Sequence, residues 1–228
     1  MPLPRLMLAQ RYLAGGLLDE AETLAREALA VEGESARAWH LIGLAAWQRG
    51  QPCLEPLENA ARLAPDDAEI LNAWGVALRQ AGRGHDAAMA LKRAAELAPQ
   101  NASIALNLAG MLHDMGWLDE AERLCNRALA LDNTPAEAWS TLGAVLVSQG
   151  RADDAELACR AALARNGELA EAWDNLGAAL CAQGRAAEAE SCHRAAIARQ
   201  PALAAAWSNL AAALLALGRL SEAEAVLR

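Results

Sequence analysis

The chain has 228 residues with 20 basic and 29 acidic side chains, a net charge of −9 that repels phosphate backbones and argues against a nucleic-acid partner. Apolar residues make up 54%, mainly Ala and Leu, but aromatics only 4%, with no Phe, so helix is favoured and sheet is not. No stretch approaches the length of a membrane span, so no membrane partner is expected.

The opening MPLPRLMLAQRYLAGG is broken by Arg5, Gln10 and Arg11 and lacks the apolar core of a signal peptide. Cys53, Cys125, Cys159, Cys181 and Cys192 are odd in number and show no C-x-x-C pairing, as expected of small buried groups in a reducing compartment. The expected location is cytoplasmic. The Ala/Arg-rich style, with Lys92 the one lysine, points to a GC-rich coding sequence and a bacterial source.

Gly16, Gly50, Gly82, Gly116, Gly150, Gly184 and Gly218 follow one another at intervals of 34, 32, 34, 34, 34 and 34 residues. Such a period means one structural unit repeated. Aligned on the glycines, the units are 2–35, 36–67, 68–101, 102–135, 136–169, 170–203 and a partial 204–228. In the fifth, Trp139, Leu142 and Leu146 have helical spacing, Gly150 stops that helix, and Asp153 and Asp154 open a second one. Ala155, Cys159 and Ala162 continue it, so each unit reads as two antiparallel helices. The second unit is two residues short and carries Pro52 and Pro56, which predicts a shortened or shifted second helix.

The recurring tryptophan, leucine–glycine, glycine and spaced small residues resemble the tetratricopeptide repeat family. They read Trp139, Leu142, Gly143, Gly150, Ala155 and Ala162, then Trp173, Leu176, Gly177, Gly184, Ala189 and Ala196, closing with Pro201. The third unit keeps Gly75, Gly82, Ala87, Ala94 and Pro99 but places Leu71 and Trp74 in exchanged order. The resemblance implies an all-α fold, a single α-solenoid of seven helix-turn-helix repeats wound as a right-handed superhelix. It also implies that the first helix of each pair lines a concave groove for an extended peptide or partner protein.

The groove positions so assigned are Arg37, His40, Trp47, Asn72 and Arg79, then Asn107, His113, Glu137, Glu171, Asp174, Asn175 and Asn209. Bulky and basic groups sit toward the N-terminal half. The other half has a floor of Gly110, Ala144, Ala178 and Ala212 with an acidic rim. That floor leaves room for a ligand backbone, although alanine also simply suits a helix. Trp47 is either a groove contact or packing beneath the irregular helix.

Asn107, Asn175 and Asn209 share one register position, interrupted by Thr141. This is similar to the asparagine ladder of the repeat domain of O-linked N-acetylglucosamine transferases, which grips a peptide backbone. Lys92 falls on a second helix, so a lysine-based carboxylate clamp is absent. Glu22/Arg26, Glu156/Arg160, Glu190/Arg194 and Glu224/Arg228 read as helix-supporting pairs on a solvated face.

No catalytic constellation, metal-ligand spacing or cofactor motif is visible. Cys192 and His193 are adjacent on a helix and point roughly 100° apart. The expected function is a non-enzymatic interaction scaffold. The alternatives are the substrate-recruiting half of a larger glycosyltransferase and a self-assembling scaffold. Arg228 falls inside a second helix, which leads to the expectation of a fragment whose end exposes Leu210, Leu214, Leu217 and Val226 for weak self-association.

Overall fold

This computed structural model describes residues 4–132 and 135–227, and among them fourteen helices and no strand. Packing divides the chain into two compact units, Met1–Gln100 and Asn101–Arg228. In the first, α1 (Arg5–Ala14) pairs with α2 (Leu18–Glu32), α3 (Ala36–Gln48) with α4 (Leu54–Leu63) and α5 (Ala68–Gln80) with α6 (Gly84–Leu97). In the second, α7 (Ala102–Asp114) pairs with α8 (Leu118–Leu131) and α9 (Ala136–Ser148) with α10 (Ala152–Arg165). There α11 (Ala170–Ala182) also pairs with α12 (Ala186–Arg199), and α13 (Ala204–Ala216) with α14 (Leu220–Val226). No helix among the described residues is long and apolar enough to cross a membrane.

The periodic glycines end the first helices. Gly150 has φ +76°, the left-handed conformation that closes a helix most readily when there is no Cβ. Its N–H donates to the Val147 carbonyl and the Arg151 N–H to the Leu146 carbonyl, both at 2.9 Å. These are the paired bonds of a Schellman turn, and they satisfy two carbonyls the helix leaves over.

A second set of glycines sets how closely the helices of a pair approach. A Cβ on Gly143 would lie 2.4 Å from Cys159 Sγ, and one on Gly177 2.5–2.8 Å from three atoms of the His193 ring. Gly43 and Gly75 meet Leu57 and Leu91 in the same way, at 2.6 and 2.7 Å. In the α7–α8 pair, Ala109 takes this place opposite Cys125, both fully buried, so that pair accommodates one methyl more. The cysteines are fillers here: burial pushes the thiols of Cys125 and Cys159 up to about 12.

Arginines at the ends of second helices cover the first-helix tryptophans. Arg165 stacks 5.0 Å from the Trp139 centroid and Arg199 5.2 Å from that of Trp173. Trp173 and Trp207 donate their indole N–H to the carbonyls of Gly167 and Pro201, at 2.8 and 2.9 Å.

The proline-bearing helix α4 starts at Leu54, after Pro52, and has 10 residues where α6, α8, α10 and α12 have 14. Pro56 occupies its first turn, where a missing N–H costs nothing in the ladder. The seventh pair differs from expectation. Leu210 and Leu214 are buried, because α14 packs over them through Ala223 and Val226. The exposed apolar groups there are Leu215, Leu217, Leu220 and Leu227. Arg228 lies outside the described residues.

The acid–base pairs of the second helices also reach the following repeat. Arg151 donates to Glu122 Oε1 at 2.7 Å, Arg185 to Glu156 Oε2 at 2.9 Å and Arg219 to Glu190 Oε1 at 2.7 Å. Arg49 makes the same pair with Glu22 in the first unit. In each case the arginine is next to the turn glycine of the following repeat, and its partner is already held by Arg26, Arg160 or Arg194 in three of them.

Two predictions follow from these contacts. A Gly→Ala change gains about 1 kcal/mol of helix propensity, while overpacking costs about 1–3 kcal/mol. At Gly143 the obstacle is one rotatable sulfur, whereas at Gly177 it is a ring fixed by its own hydrogen bond. Gly177→Ala should therefore lower stability by about 2 kcal/mol and Gly143→Ala by less than about 1. Urea unfolding of both variants checks the order.

The second concerns Glu156, whose carboxyl is held down to about 2 by hydrogen bonds from Gln183, Arg160 and Arg185. Above the ordinary value of 4.5 the carboxylate is charged in both folded and unfolded chains, so its contribution is fully present. Between 4.5 and about 2 only the unfolded chain takes up a proton, and the contribution is lost. Glu156→Gln should thus destabilise at neutral pH, and the gap to wild type should close across that window in denaturation curves.

Candidate functional site

In the second unit the first helices form one face. α9 packs against both α7 and α11, and α11 also against α13. Successive first helices are in closer contact than successive second helices, so this face is the inner side of the stack within the unit.

Side-chain hydrogen bonds lace these helices together. His113 Nε2 and Ser148 Oγ are 2.8 Å apart, joining α7 to α9. Asn175 Nδ2 donates toward the Ser140 carbonyl at 3.1 Å and lies 3.2 Å from its Oγ, joining α11 to α9. Asn209 Nδ2 donates to Asp174 Oδ2 at 3.1 Å, joining α13 to α11. The half-buried asparagines thus have a structural duty, with one amide N–H side turned toward the preceding first helix. Thr141, in the interrupted position, turns its hydroxyl back onto the Glu137 carbonyl at 2.9 Å.

Glu137 and Glu171 are exposed on this face, and Asn107 is half-buried on α7. Asp174 is not on the rim where its register places it. It is buried, 6% exposed, and accepts the Nδ1–H of His193 at Oδ1 over 2.6 Å as well as the Asn209 bond. A buried carboxylate needs such partners, and a first-helix position facing the partner helix provides them. His193 is itself fully buried, and its Nε2 has no partner among the described residues.

At the sequence level His193 is excluded from a pair with Cys192, but its pairing with Asp174 is not foreseen. The signal was available in register: the same position carries Ala25, Leu57, Leu91, Cys125, Cys159 and Leu227 in the other repeats. The fifth repeat holds Ser140 and Cys159 where the sixth holds Asp174 and His193.

In the first unit, Arg37 is exposed and donates to Gln10 Oε1, tying α3 to α1. His40 is half-buried, and burial lowers its pKa against the pull of Asp67 and Glu69. Trp47 and Asn72 are half-buried and Arg79 is exposed.

The two units differ in the charge their first helices carry. α1, α3 and α5 contain Arg5, Arg11, Arg37 and Arg79 against Glu69. α7, α9, α11 and α13 contain no Lys or Arg at all, only Asp114, Glu137, Glu171 and the buried Asp174. In that unit arginines are on second helices and turns, where Arg123, Arg151, Arg160, Arg185, Arg194, Arg199 and Arg219 pair with carboxylates. Among the described residues no three His, Cys, Asp or Glu side chains converge as a metal site requires.

The buried pair is testable. Removing one partner of such a pair costs about 3–5 kcal/mol, because the other is left unmatched. His193→Cys alone should lose stability in that range, and adding Asp174→Ser, which recreates the Ser–Cys arrangement of the fifth repeat, should recover most of it. Thermal unfolding of the two single variants and the double variant measures the coupling.

Comparison with known proteins agrees with this architecture. Among solved structures, MamA matches with a TM-score of 0.53 and 25% identity over 70% of this chain and 87% of its own. PilF of Pseudomonas aeruginosa matches with a TM-score of 0.70 and 18% identity over 89% of this chain and 93% of its own. YrrB, a TPR protein with an unusual peptide-binding site, matches with a TM-score of 0.57 and 19% identity over 80% of this chain and 95% of its own. No curated protein matches the sequence. Three models of the tetratricopeptide repeat match residues 6–68, 78–146 and 169–200, well over half of the chain, which therefore belongs to the tetratricopeptide repeat family.

Proposed function

We propose that the first-helix face of the second unit binds an extended, cationic segment of a partner protein, as a scaffold and without catalysis. The observation that carries this reading is the charge segregation: four first helices without a single Lys or Arg, with Glu137 and Glu171 exposed on them. A face of one sign attracts a segment of the other and sets orientation more than raw affinity. That a fold neighbour, YrrB, carries a peptide-binding site supports a peptide as the ligand class.

The spacing suits a peptide backbone. Neighbouring helices pack roughly 8–10 Å apart and an extended chain advances about 3.3 Å per residue, so each repeat spans about three peptide residues. Asn175 and Asn209 spend an amide N–H on neighbouring helices, and their Oδ1 atoms would accept peptide N–H groups at that interval. Backbone capture tolerates many sequences, and the carboxylates choose among them. In the first unit, Arg37, His40, Trp47, Asn72 and Arg79 would form the corresponding basic and aromatic face.

The test uses Glu171→Lys, since Glu171 is exposed, while replacing Asn175 or Asn209 would loosen the stack itself. Two decapeptides are titrated by calorimetry, one with arginine at every third position and one with glutamate. The arginine peptide should bind more tightly, weaken with added salt, and lose about tenfold in affinity on Glu171→Lys. Equal binding of the two peptides, or no effect of the charge reversal, would overturn the reading.

A further inference from the structure

The first-helix face of the second unit carries two rows of side chains besides its asparagines. Near the N-terminal ends of the helices are Glu137 and Glu171, both exposed. Near the C-terminal ends, Val147, Cys181 and Leu215 hold one register position on α9, α11 and α13. Val147 and Cys181 are half-buried and Leu215 is 50% exposed. One exposed leucine is ordinary on any surface, but an apolar group at the same place on three successive first helices makes a row. Between the two rows lie Asn175 and Asn209 and the floor of Ala144, Ala178 and Ala212. At about 1.5 Å per residue, Glu171 is roughly 6 Å along the axis from Asn175 on one side and Cys181 roughly 9 Å on the other.

Each row repeats once per first helix, at the roughly 8–10 Å that separates neighbouring helices. A β-strand laid across them sends its side chains to alternate edges and returns to the same edge after two residues, about 6.6 Å. It falls out of step by the next helix. A polyproline II helix has three residues per turn and rises about 3.1 Å for each, so the same edge returns after about 9.3 Å. It keeps step, and its backbone polar groups bond to nothing within the helix.

The asparagines make the same demand. Asn175 and Asn209 are pinned through Nδ2 to one register position of the preceding first helix, Ser140 and Asp174, so both amides are set the same way round. Backbone N–H groups three residues apart point to opposite sides of a strand, but to the same side of a polyproline II helix.

We propose that the bound segment lies across this face as a polyproline II helix, with a basic residue and an apolar residue each recurring at every third position. The proposal rests on the peptide-binding reading above and names its ligand class, a basic segment containing proline. The basic side chains extend to Glu137 and Glu171, and the apolar ones rest on Val147, Cys181 and Leu215. The remaining side of the ligand faces the alanine floor. Proline fits wherever an asparagine does not take the N–H, and it holds φ near the required value.

In the experiment the three-arginine decapeptide, with arginine at every third position, carries leucine after each arginine and proline after each leucine. A second decapeptide of the same composition alternates arginine and leucine, as a strand would require. Calorimetry should show the three-residue repeat binding about tenfold more tightly. Leu215→Ser should cost that peptide about fivefold, and should leave a version with serine in place of leucine unaffected. Backbone coupling constants of the labelled, bound peptide should report φ near about −75° rather than the roughly −120° to −140° of a strand.

Equal binding of the two arrangements, a preference for the alternating one, strand-like φ in the bound peptide, or no effect of Leu215→Ser would overturn the proposal. In each of those cases the cationic-ligand reading stands if Glu171→Lys still weakens binding. If Glu171→Lys changes nothing and the glutamate peptide binds as well as the arginine peptides, the underlying reading has failed instead.

Discussion

Where α9 crosses α10, Gly143 leaves no space for a methyl group, since a Cβ there would sit 2.4 Å from the Cys159 sulfur. The same close approach recurs at Gly43, Gly75 and Gly177. Because the two helices of a pair are nearly in backbone contact, a first helix buries one side entirely within its own repeat. Its flanks then meet the first helices before and after it, and its remaining side is left for solvent or a ligand. Large side chains such as Trp139 and Trp173 are displaced to the junctions between repeats, where Arg165 and Arg199 cover them.

Charge is sorted by the same geometry. Second helices and turns carry the arginines of the second unit, and each carboxylate at the clamp position holds an arginine of the next repeat, Glu156 and Glu190 holding one from their own helix as well. Exposed ion pairs individually contribute little, about 0–1 kcal/mol. A clamp such as Glu156 is different, because three donors converge on a carboxylate that is only 16% exposed. The arginines are thereby used on the outer side, and the first helices of the second unit carry carboxylates and His113 but no Lys or Arg.

The helix pairs were legible because both of their determinants are local. A turn glycine and a helical run of Trp, Leu and Gly lie within a dozen residues of each other, and Pro52 and Pro56 shorten α4 through backbone chemistry alone. What the sequence did not reveal depends on contacts between distant residues. Glu156/Arg160 reads as a local pair, but Arg185, 29 residues away, shares the same carboxylate. Asp174 reads as a rim residue by register, and it is buried because His193, 19 residues on, replaces the usual apolar filler. Leu210 and Leu214 read as an uncovered end, but even the seven residues of α14 suffice to cover them. The asparagine column was visible as a pattern, while its bonds to Ser140 and Asp174 required the neighbouring helices to be in place.

The central claim is that ligand occupies the first-helix face of the second unit. Photo-crosslinking tests it most directly, using the three-arginine decapeptide with a benzophenone at its centre and mapping of adducts by mass spectrometry. The account predicts adducts on α7, α9, α11 and α13. Adducts confined to second helices, such as Arg160 and Leu163 on α10 and Ser191 and Cys192 on α12, with none on the first helices, would contradict it.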